Sequence, residues 1–195
     1  KQIAKIGGVD GSWLVLGDKS GSMASTIEIA RQVAGTLAKM VTGKVFLCFF
    51  DVSPTMMEIT GDTYDEILRK TKSIKSAGGT SIGVGLDSIL ARKEIIDGIA
   101  IISDAAENCP PFFRDVYKRY SAFAEKEVPV YLYRCKKEQH SWGDQDLAKT
   151  MKEAGLQMSA EHFEGVVDYY SLPNLIATMR TNQYSLADEI LATPL

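Results

Sequence analysis

The sequence predicts an α/β fold of the Rossmann-like, three-layer, doubly wound kind, with a mostly parallel sheet and helices on both faces. Short, continuous apolar runs are typical of strands buried on both faces, and here they alternate with segments of helical periodicity. Such alternation implies right-handed crossovers between parallel strands. The predicted parallel strands are 12–17, 44–50, 98–103 and 128–135. An antiparallel edge strand is predicted at 55–60, and a last strand at 159–166.

The helices between these strands are predicted from apolar residues that recur every three or four positions. In the first helix, the residues with this spacing are Ile27, Ala30, Val33, Ala34, Leu37 and Met40. The predicted helices are 23–41, 65–75, 81–92, 110–126, 145–154, 171–182 and 186–192. Pro110 and Pro111 are expected in a first turn, where proline is favourable, and Gly155 is expected to end the fifth helix in a left-handed conformation.

Composition fits one domain, with a core of about 12–182 and a helical tail over 183–195, in a chain of 195 residues. The net charge of −3 argues against a broad nucleic-acid surface, and no apolar run is long enough to predict a membrane span. The start of the sequence has no signal-peptide pattern. The 3 cysteines have no metal-type spacing, so free thiols in a reducing compartment, the cytoplasm, are expected.

Oxygen-bearing side chains follow the first and third predicted strands. The segment Asp18-Lys19-Ser20-Gly21-Ser22 follows the first strand, and Asp104 follows the third. Thr80 comes after Gly78-Gly79, at the start of a helix. Each segment alone is compatible with a turn and a helix cap. Because the carboxyl ends of parallel strands share one edge of a sheet, these oxygens are also candidates for one site that binds a hard cation such as Mg²⁺.

The pattern Asp18-x-Ser20-x-Ser22, followed by Thr80 and then Asp104, resembles the metal-ion-dependent adhesion site of von Willebrand factor A domains. The resemblance implies direct ligation by Ser20 and Ser22, and ligation by Thr80 directly or through water. It implies that Asp18 and Asp104 act mostly through ordered water. Mg²⁺ is the expected ion, with Mn²⁺ and Ca²⁺ as alternatives, and an Asp or Glu carboxylate from a protein partner would complete its coordination.

Two residues depart from the pattern of this family. Ala105 stands where a glycine is frequent, which predicts a stiffer or shifted loop. Lys19 lies between the first acid and the first serine. Its side chain is expected to point away, and the alternative is that it screens an acidic ligand or forms a salt bridge with one. Neither departure removes a predicted ligand.

The resemblance implies a non-enzymatic interaction module that binds an acidic group through the metal. The alternative is a structural or regulatory subunit of a larger intracellular complex, such as an adaptor of an AAA+ ATPase or a Ro-type ribonucleoprotein, with the metal secondary. Segments 164–168 and 172–176 resemble the end of a Ro-type A domain. Enzyme classes are disfavoured because neither a P-loop nor a G-x-S-x-G nucleophile elbow is present, and His140 and His162 are expected to be exposed or packed.

Overall fold

The sheet has six strands in the order β3-β2-β1-β4-β6-β8. The computed structural model describes residues 9–21, 23–135, 145–163 and 177. The strands are β1 Trp13–Asp18, β2 Val45–Phe50, β3 Pro54–Glu58, β4 Gly98–Ser103, β5 Ala106–Glu107, β6 Val130–Cys135, β7 Gln145–Asp146 and β8 Ser159–Phe163. Within the sheet only the β2–β3 pair is antiparallel, so the predicted mixed sheet with an antiparallel edge is confirmed. Strands β5 and β7 form a separate two-stranded pair.

In the described part of the chain, five helices cover the two faces of this sheet. They are α1 Ala24–Met40, α2 Tyr64–Lys70, α3 Gly83–Ala91, α4 Phe113–Ala124 and α5 Leu147–Glu153. On one face, Val33 and Leu37 of α1 belong to a core cluster with Val15 and Leu47 of the sheet. On the other face, α3, α4 and α5 pack against the opposite side chains of the same strands. All residues of β1, β2 and β4 are buried, as their continuous apolar runs predict.

Close contact between α3 and the sheet depends on Gly85. A side chain there would overlap Leu16 and would lie 3.2 Å from the Cys48 sulfur. The helix can therefore lie directly on β1 and β2, which fixes the position of its first turn relative to the carboxyl edge of the sheet.

Several predicted helix boundaries are wrong, among them boundaries of α2, α4 and α5. Helix α2 ends at Lys70 rather than 75, where the Thr71 hydroxyl donates to the carbonyl of Ile67 at 2.7 Å. Helix α4 begins at Phe113, because Phe112 is still extended, so the prolines precede the helix instead of opening it. Helix α5 begins after Asp146, whose side chain accepts from the backbone N–H of Lys149 at 2.9 Å.

Gly155 has a φ of +72°, which confirms the predicted left-handed end of α5. The predicted polar loop at 136–143, the end of the last strand at 164–166 and, apart from Ala177, the two terminal helices lie outside the described residues. The division into a core and a C-terminal tail therefore stays a prediction. In the parts of the chain that are described, no helix combines the length and the apolar character needed to cross a membrane.

Candidate functional site

Four of the five predicted site residues come to the same edge of the sheet. Asp18 is the last residue of β1, and Asp104 directly follows the neighbouring strand β4. Ser20 lies in the loop that leads to α1, and Thr80 lies in the loop that leads to α3. All four are buried, with at most 6% of each residue exposed. Ser22 lies outside the described residues.

The Asp18 carboxylate is held at both oxygens. Its Oδ1 accepts the backbone N–H of Ser20 at 2.8 Å, and its Oδ2 accepts the hydroxyl of Ser103 at 2.6 Å. Burial raises the pKa of Asp18 to about 6, although these hydrogen bonds favour the carboxylate. The negative charge of Asp104 raises that pKa further, so the two acids are electrostatic neighbours.

Thr80 is positioned by the loop that follows β4. Its backbone N–H donates to the side-chain oxygen of Asn108 at 2.9 Å. Its carbonyl accepts the backbone N–H groups of Asn108 and Cys109, both at 3.0 Å. One residue further on, the Ser81 hydroxyl donates to the carbonyl of Pro111 at 2.8 Å. The Thr80 loop and the Asp104 loop are therefore fixed to each other by direct hydrogen bonds.

Lys19 connects the first loop to the Thr80 loop. Its carbonyl accepts the N–H of Ala77 at 2.8 Å, and the N–H of Gly21 donates to the carbonyl of Gly78 at 3.3 Å. Its side chain is buried, and its ammonium group pairs with the carboxylate of Asp51, at the end of β2. This ion pair within the chain was not predicted from the sequence, where only an acidic ligand was considered as the partner of Lys19.

Ala105 adopts the left-handed conformation that makes glycine frequent at such a position, with a φ of +68°. Its N–H donates to the hydroxyl of Ser103 at 3.1 Å, and its carbonyl accepts the N–H of Leu147 at 2.8 Å. These bonds hold the alanine in a conformation that is unfavourable for a residue with a side chain.

Sequence reasoning missed a buried carboxylate that joins two helices. Oε1 of Glu107 accepts the N–H groups of Ile82 at 2.9 Å and Gly83 at 3.3 Å, at the start of α3. The same oxygen accepts the N–H of Phe113 at 3.0 Å, at the start of α4. Burial raises the pKa of Glu107 to about 7, although the hydrogen bonds from these N–H groups act to lower it. The only sequence signal is an acid close to a strand end, which also describes many exposed turns.

Asp51, Ser103 and Asn108 were also missed as parts of this edge. Asp51 ends an apolar strand just as Asp18 does, and this shared placement could have identified it. Ser103 and Asn108 act through hydrogen bonds to residues that are distant in sequence, and no local pattern predicts such bonds.

The donor set at this edge fits a hard cation. It combines neutral hydroxyls with two neighbouring acids whose mutual repulsion a cation would relieve. Within residues 9–21, 23–135 and 145–163, no group of three or more His, Cys, Asp or Glu side chains could hold a metal. A site here would therefore depend on hydroxyl oxygens. The ligand roles themselves stay predictions.

Comparison with known proteins supports the fold. No protein-family model matches the sequence, and none of the curated proteins matches it. Among solved structures, the Ro (Rsr) protein of Deinococcus radiodurans superposes with a TM-score of 0.65 at 13% identity, over 93% of this chain and 36% of that one. This chain thus spans about a third of the length of that Ro protein.

Two further solved structures are similar over most of this chain. A von Willebrand factor type A protein from Catenulispora acidiphila has a TM-score of 0.59 at 10% identity, over 89% of this chain and 42% of that one. The manganese-loaded TRAP protein of Plasmodium vivax has a TM-score of 0.50 at 14% identity, over 88% of this chain and 73% of that one. The chain has the von Willebrand factor A fold, as its sequence motifs predict.

Proposed function

We propose that this chain is a non-enzymatic interaction module that binds an acidic group of a protein partner through a divalent cation. Ser20, Ser22 and Thr80 would hold the cation, with Asp18 and Asp104 acting mainly through water. The observation that carries the proposal is the convergence of Asp18, Ser20, Thr80 and Asp104 at one buried edge. Mg²⁺ is the first candidate, with Mn²⁺ and Ca²⁺ as alternatives.

The cation supplies positive charge and an open coordination position for the partner's Asp or Glu carboxylate. Neutral hydroxyl ligands leave much of its charge uncompensated, which favours a further anionic ligand. The chain's own residues hold this arrangement in place. The N–H of Ser20 and the hydroxyl of Ser103 orient Asp18, the N–H of Ala106 donates to Asp104 at 3.0 Å, and Asn108 fixes the Thr80 backbone.

The structural neighbours give limited support to this proposal. The TRAP structure is manganese-loaded, so a protein with this fold can hold a divalent ion. At 14% identity, however, the likeness concerns the fold alone. Cys48, Cys109 and Cys135 are free, which supports a reducing location and hence the cytoplasm.

A second candidate function is a structural or regulatory subunit of a larger intracellular complex in which the metal is secondary. The similarity to part of the Ro protein favours this alternative, because that chain is nearly three times as long as the matched region. The two proposals differ in whether the partner is retained when the metal is chelated.

The decisive experiment is a calorimetric titration of Mg²⁺ and Mn²⁺ into the full chain and into a Ser20→Ala/Ser22→Ala variant. The wild type should bind and the double variant should not, because two direct ligands are gone. Ser25→Ala is the matched control, since Ser25 is exposed in the first turn of α1 and is not a proposed ligand. Equal binding by the wild type and the double variant would contradict the proposed site.

If the wild type binds, the partner is sought by capture in Mg²⁺ and in chelator. Capture in Mg²⁺ alone supports the metal-dependent module. Equal capture in both conditions supports the structural alternative.

A further inference from the structure

The loop that carries the proposed metal ligands also carries a buried cation of its own. Lys19 lies between Asp18 and Ser20, and only 11% of its side chain is exposed. A lysine ammonium repels a divalent metal ion, and a buried ammonium without a partner is costly. A metal site at this edge therefore needs something that neutralises Lys19 and holds it in place.

Asp51 meets this need, and it is itself fixed from the opposite side. The ammonium of Lys19 pairs with Oδ2 of Asp51. The other carboxylate oxygen, Oδ1, accepts the backbone N–H of Ser53 at 2.8 Å and the Ser53 hydroxyl at 3.0 Å. The carboxylate is thus engaged at both oxygens, so its position is determined by β2 and the turn that follows it.

Asp51 also contacts the loop that carries Thr80. Its carbonyl accepts the N–H of Ser81 at 2.8 Å, and a side chain placed on Gly78 would lie 3.6 Å from its Cβ. Because the backbone of Lys19 is in turn bonded to that of Ala77, the ion pair lies where three loops meet. It joins the segment around Ser20 to the segment around Thr80.

We propose that Lys19 and Asp51 are positioning residues of the metal site: the Asp51 carboxylate neutralises the Lys19 ammonium and holds it in place, without being a ligand, while the Asp51 backbone bond to Ser81 connects the Ser20 and Thr80 loops. This inference rests on the proposed function, because it concerns the affinity of the same site for its cation. It assigns Asp51 a role that the motif itself does not include.

The proposal predicts an asymmetry between the two partners. Asp51→Asn leaves a buried positive charge beside the cation, so Mg²⁺ should bind roughly tenfold more weakly. Lys19→Met removes the repulsive charge and leaves an anion, so Mg²⁺ should bind at least as tightly as in the wild type. The double variant is neutral at both positions and should recover the wild-type affinity, because two residues in direct contact are expected to be coupled and not additive.

The experiment is a calorimetric Mg²⁺ titration of the full chain, the two single variants and the double variant, with chemical denaturation of each in chelator. The matched control is the ion pair of Lys44 and Glu94, which is more exposed and lies at the opposite end of β2. Lys44→Met and Glu94→Gln should leave the Mg²⁺ affinity unchanged. A purely structural role of Asp51 would weaken binding as much in the double variant as in Asp51→Asn.

Each outcome is decisive. Recovery in the double variant supports the positioning role. Equal weakness of Asp51→Asn and the double variant, or no weakening in Asp51→Asn, overturns it while leaving the proposed function intact. If Asp51→Asn does not fold, the proposal is tested with Lys19→Met and the double variant. A loss of Mg²⁺ affinity of more than about tenfold in either variant contradicts the charge argument. Absence of binding in the wild type is a failure of the proposed function itself.

Discussion

The hydroxyl of Ser103 donates a hydrogen bond of 2.6 Å to Oδ2 of Asp18, across two neighbouring strands and 85 residues of sequence. The same hydroxyl accepts the N–H of Ala105 at 3.1 Å. One buried serine therefore links the acid that ends β1 to the loop that follows β4. This side-chain bond directly connects the two acid-bearing segments of the proposed site.

Replacing Ser103 with alanine should destabilise the protein. In the wild type, the Ser103 hydroxyl bonds to both the Asp18 carboxylate and the Ala105 N–H. The variant removes this partner from both groups. We expect the free energy of unfolding to fall by about 1–3 kcal/mol. Urea denaturation in chelator measures this change. Ser25→Ala is the control and should change stability by less than about 0.5 kcal/mol; an equal effect in the two variants would contradict the structural role of Ser103.

Substitutions of Thr80 test the role of its hydroxyl. Thr80→Val keeps the shape of the side chain but removes the oxygen, whereas Thr80→Ser keeps the oxygen. We expect Thr80→Val to lower the Mg²⁺ affinity by about 10–100-fold, the range found for groups that support a metal site, and Thr80→Ser to change it much less. Calorimetric titration provides the measurement. If both variants bind Mg²⁺ like the wild type, Thr80 is only a backbone support for the loop.

Glu107 should stabilise the protein through its contacts with two helix starts. Glu107→Ala removes the acceptor of the Ile82, Gly83 and Phe113 N–H groups, and we expect a loss of about 1–3 kcal/mol in the free energy of unfolding. Glu107→Gln retains a carbonyl oxygen and should lose less. Thermal and urea denaturation of the three proteins test this order, and a variant Glu107→Ala as stable as the wild type would contradict it.

The same residue predicts a pH dependence of stability. The pKa of Glu107 is raised from its ordinary 4.5 to about 7 in the folded protein, so the folded state holds a proton that the unfolded state releases. Its contribution is fully present below pH 4.5 and is lost as the pH rises to about 7, by up to about 3 kcal/mol. The difference in unfolding free energy between wild type and Glu107→Gln, measured in chelator, should therefore change across this window. A difference independent of pH would show that the folded pKa is not raised.

Ala105 and Gly155 form a natural pair for measuring backbone strain. Their φ angles are +68° and +72°, and a side chain on Gly155 would meet nothing within 4 Å. Gly155→Ala should therefore cost about 1 kcal/mol through conformation alone. Ala105→Gly relieves the backbone strain, but it also removes a buried methyl group and makes the unfolded chain more flexible. Because these effects oppose each other, we expect a smaller change in the free energy of unfolding. Urea denaturation tests both, and no effect in Gly155→Ala would contradict strain at Ala105.

The sheet and its two covered faces were predictable because they depend on local patterns. The apolar runs of β1, β2 and β4 are continuous, and Val33 and Leu37 repeat with helical spacing. The end of α2 at Lys70 was missed because the apolar spacing that predicted this helix continues to Ile74. The start of α4 was also missed, since proline fits both a first turn and the segment that precedes it.

In the candidate site, too, some residues could be predicted from local patterns and others could not. Asp18, Ser20, Thr80 and Asp104 could be identified because their positions at strand ends and helix starts determine where they lie. Asp51 was missed although it directly follows an apolar strand. Ser103 and Glu107 could not be identified, because their roles consist of contacts between loops that are separated by many residues. The identity of the cation and of the partner depends on surfaces and ligands that a local pattern does not encode, and both stay predictions.

The strand order has a consequence for the chain during its synthesis. Strand β1 meets β2 early, but its other neighbour, β4, is made only when Gly98–Ser103 has left the ribosome. Until then, one side of β1 has no strand to pair with and Asp18 has no Ser103. A nascent chain that ends before this point lacks both Ser103 and Asp104, so it cannot bring the two acids together. A partner that needs both acids would therefore not bind a chain that has been made only this far.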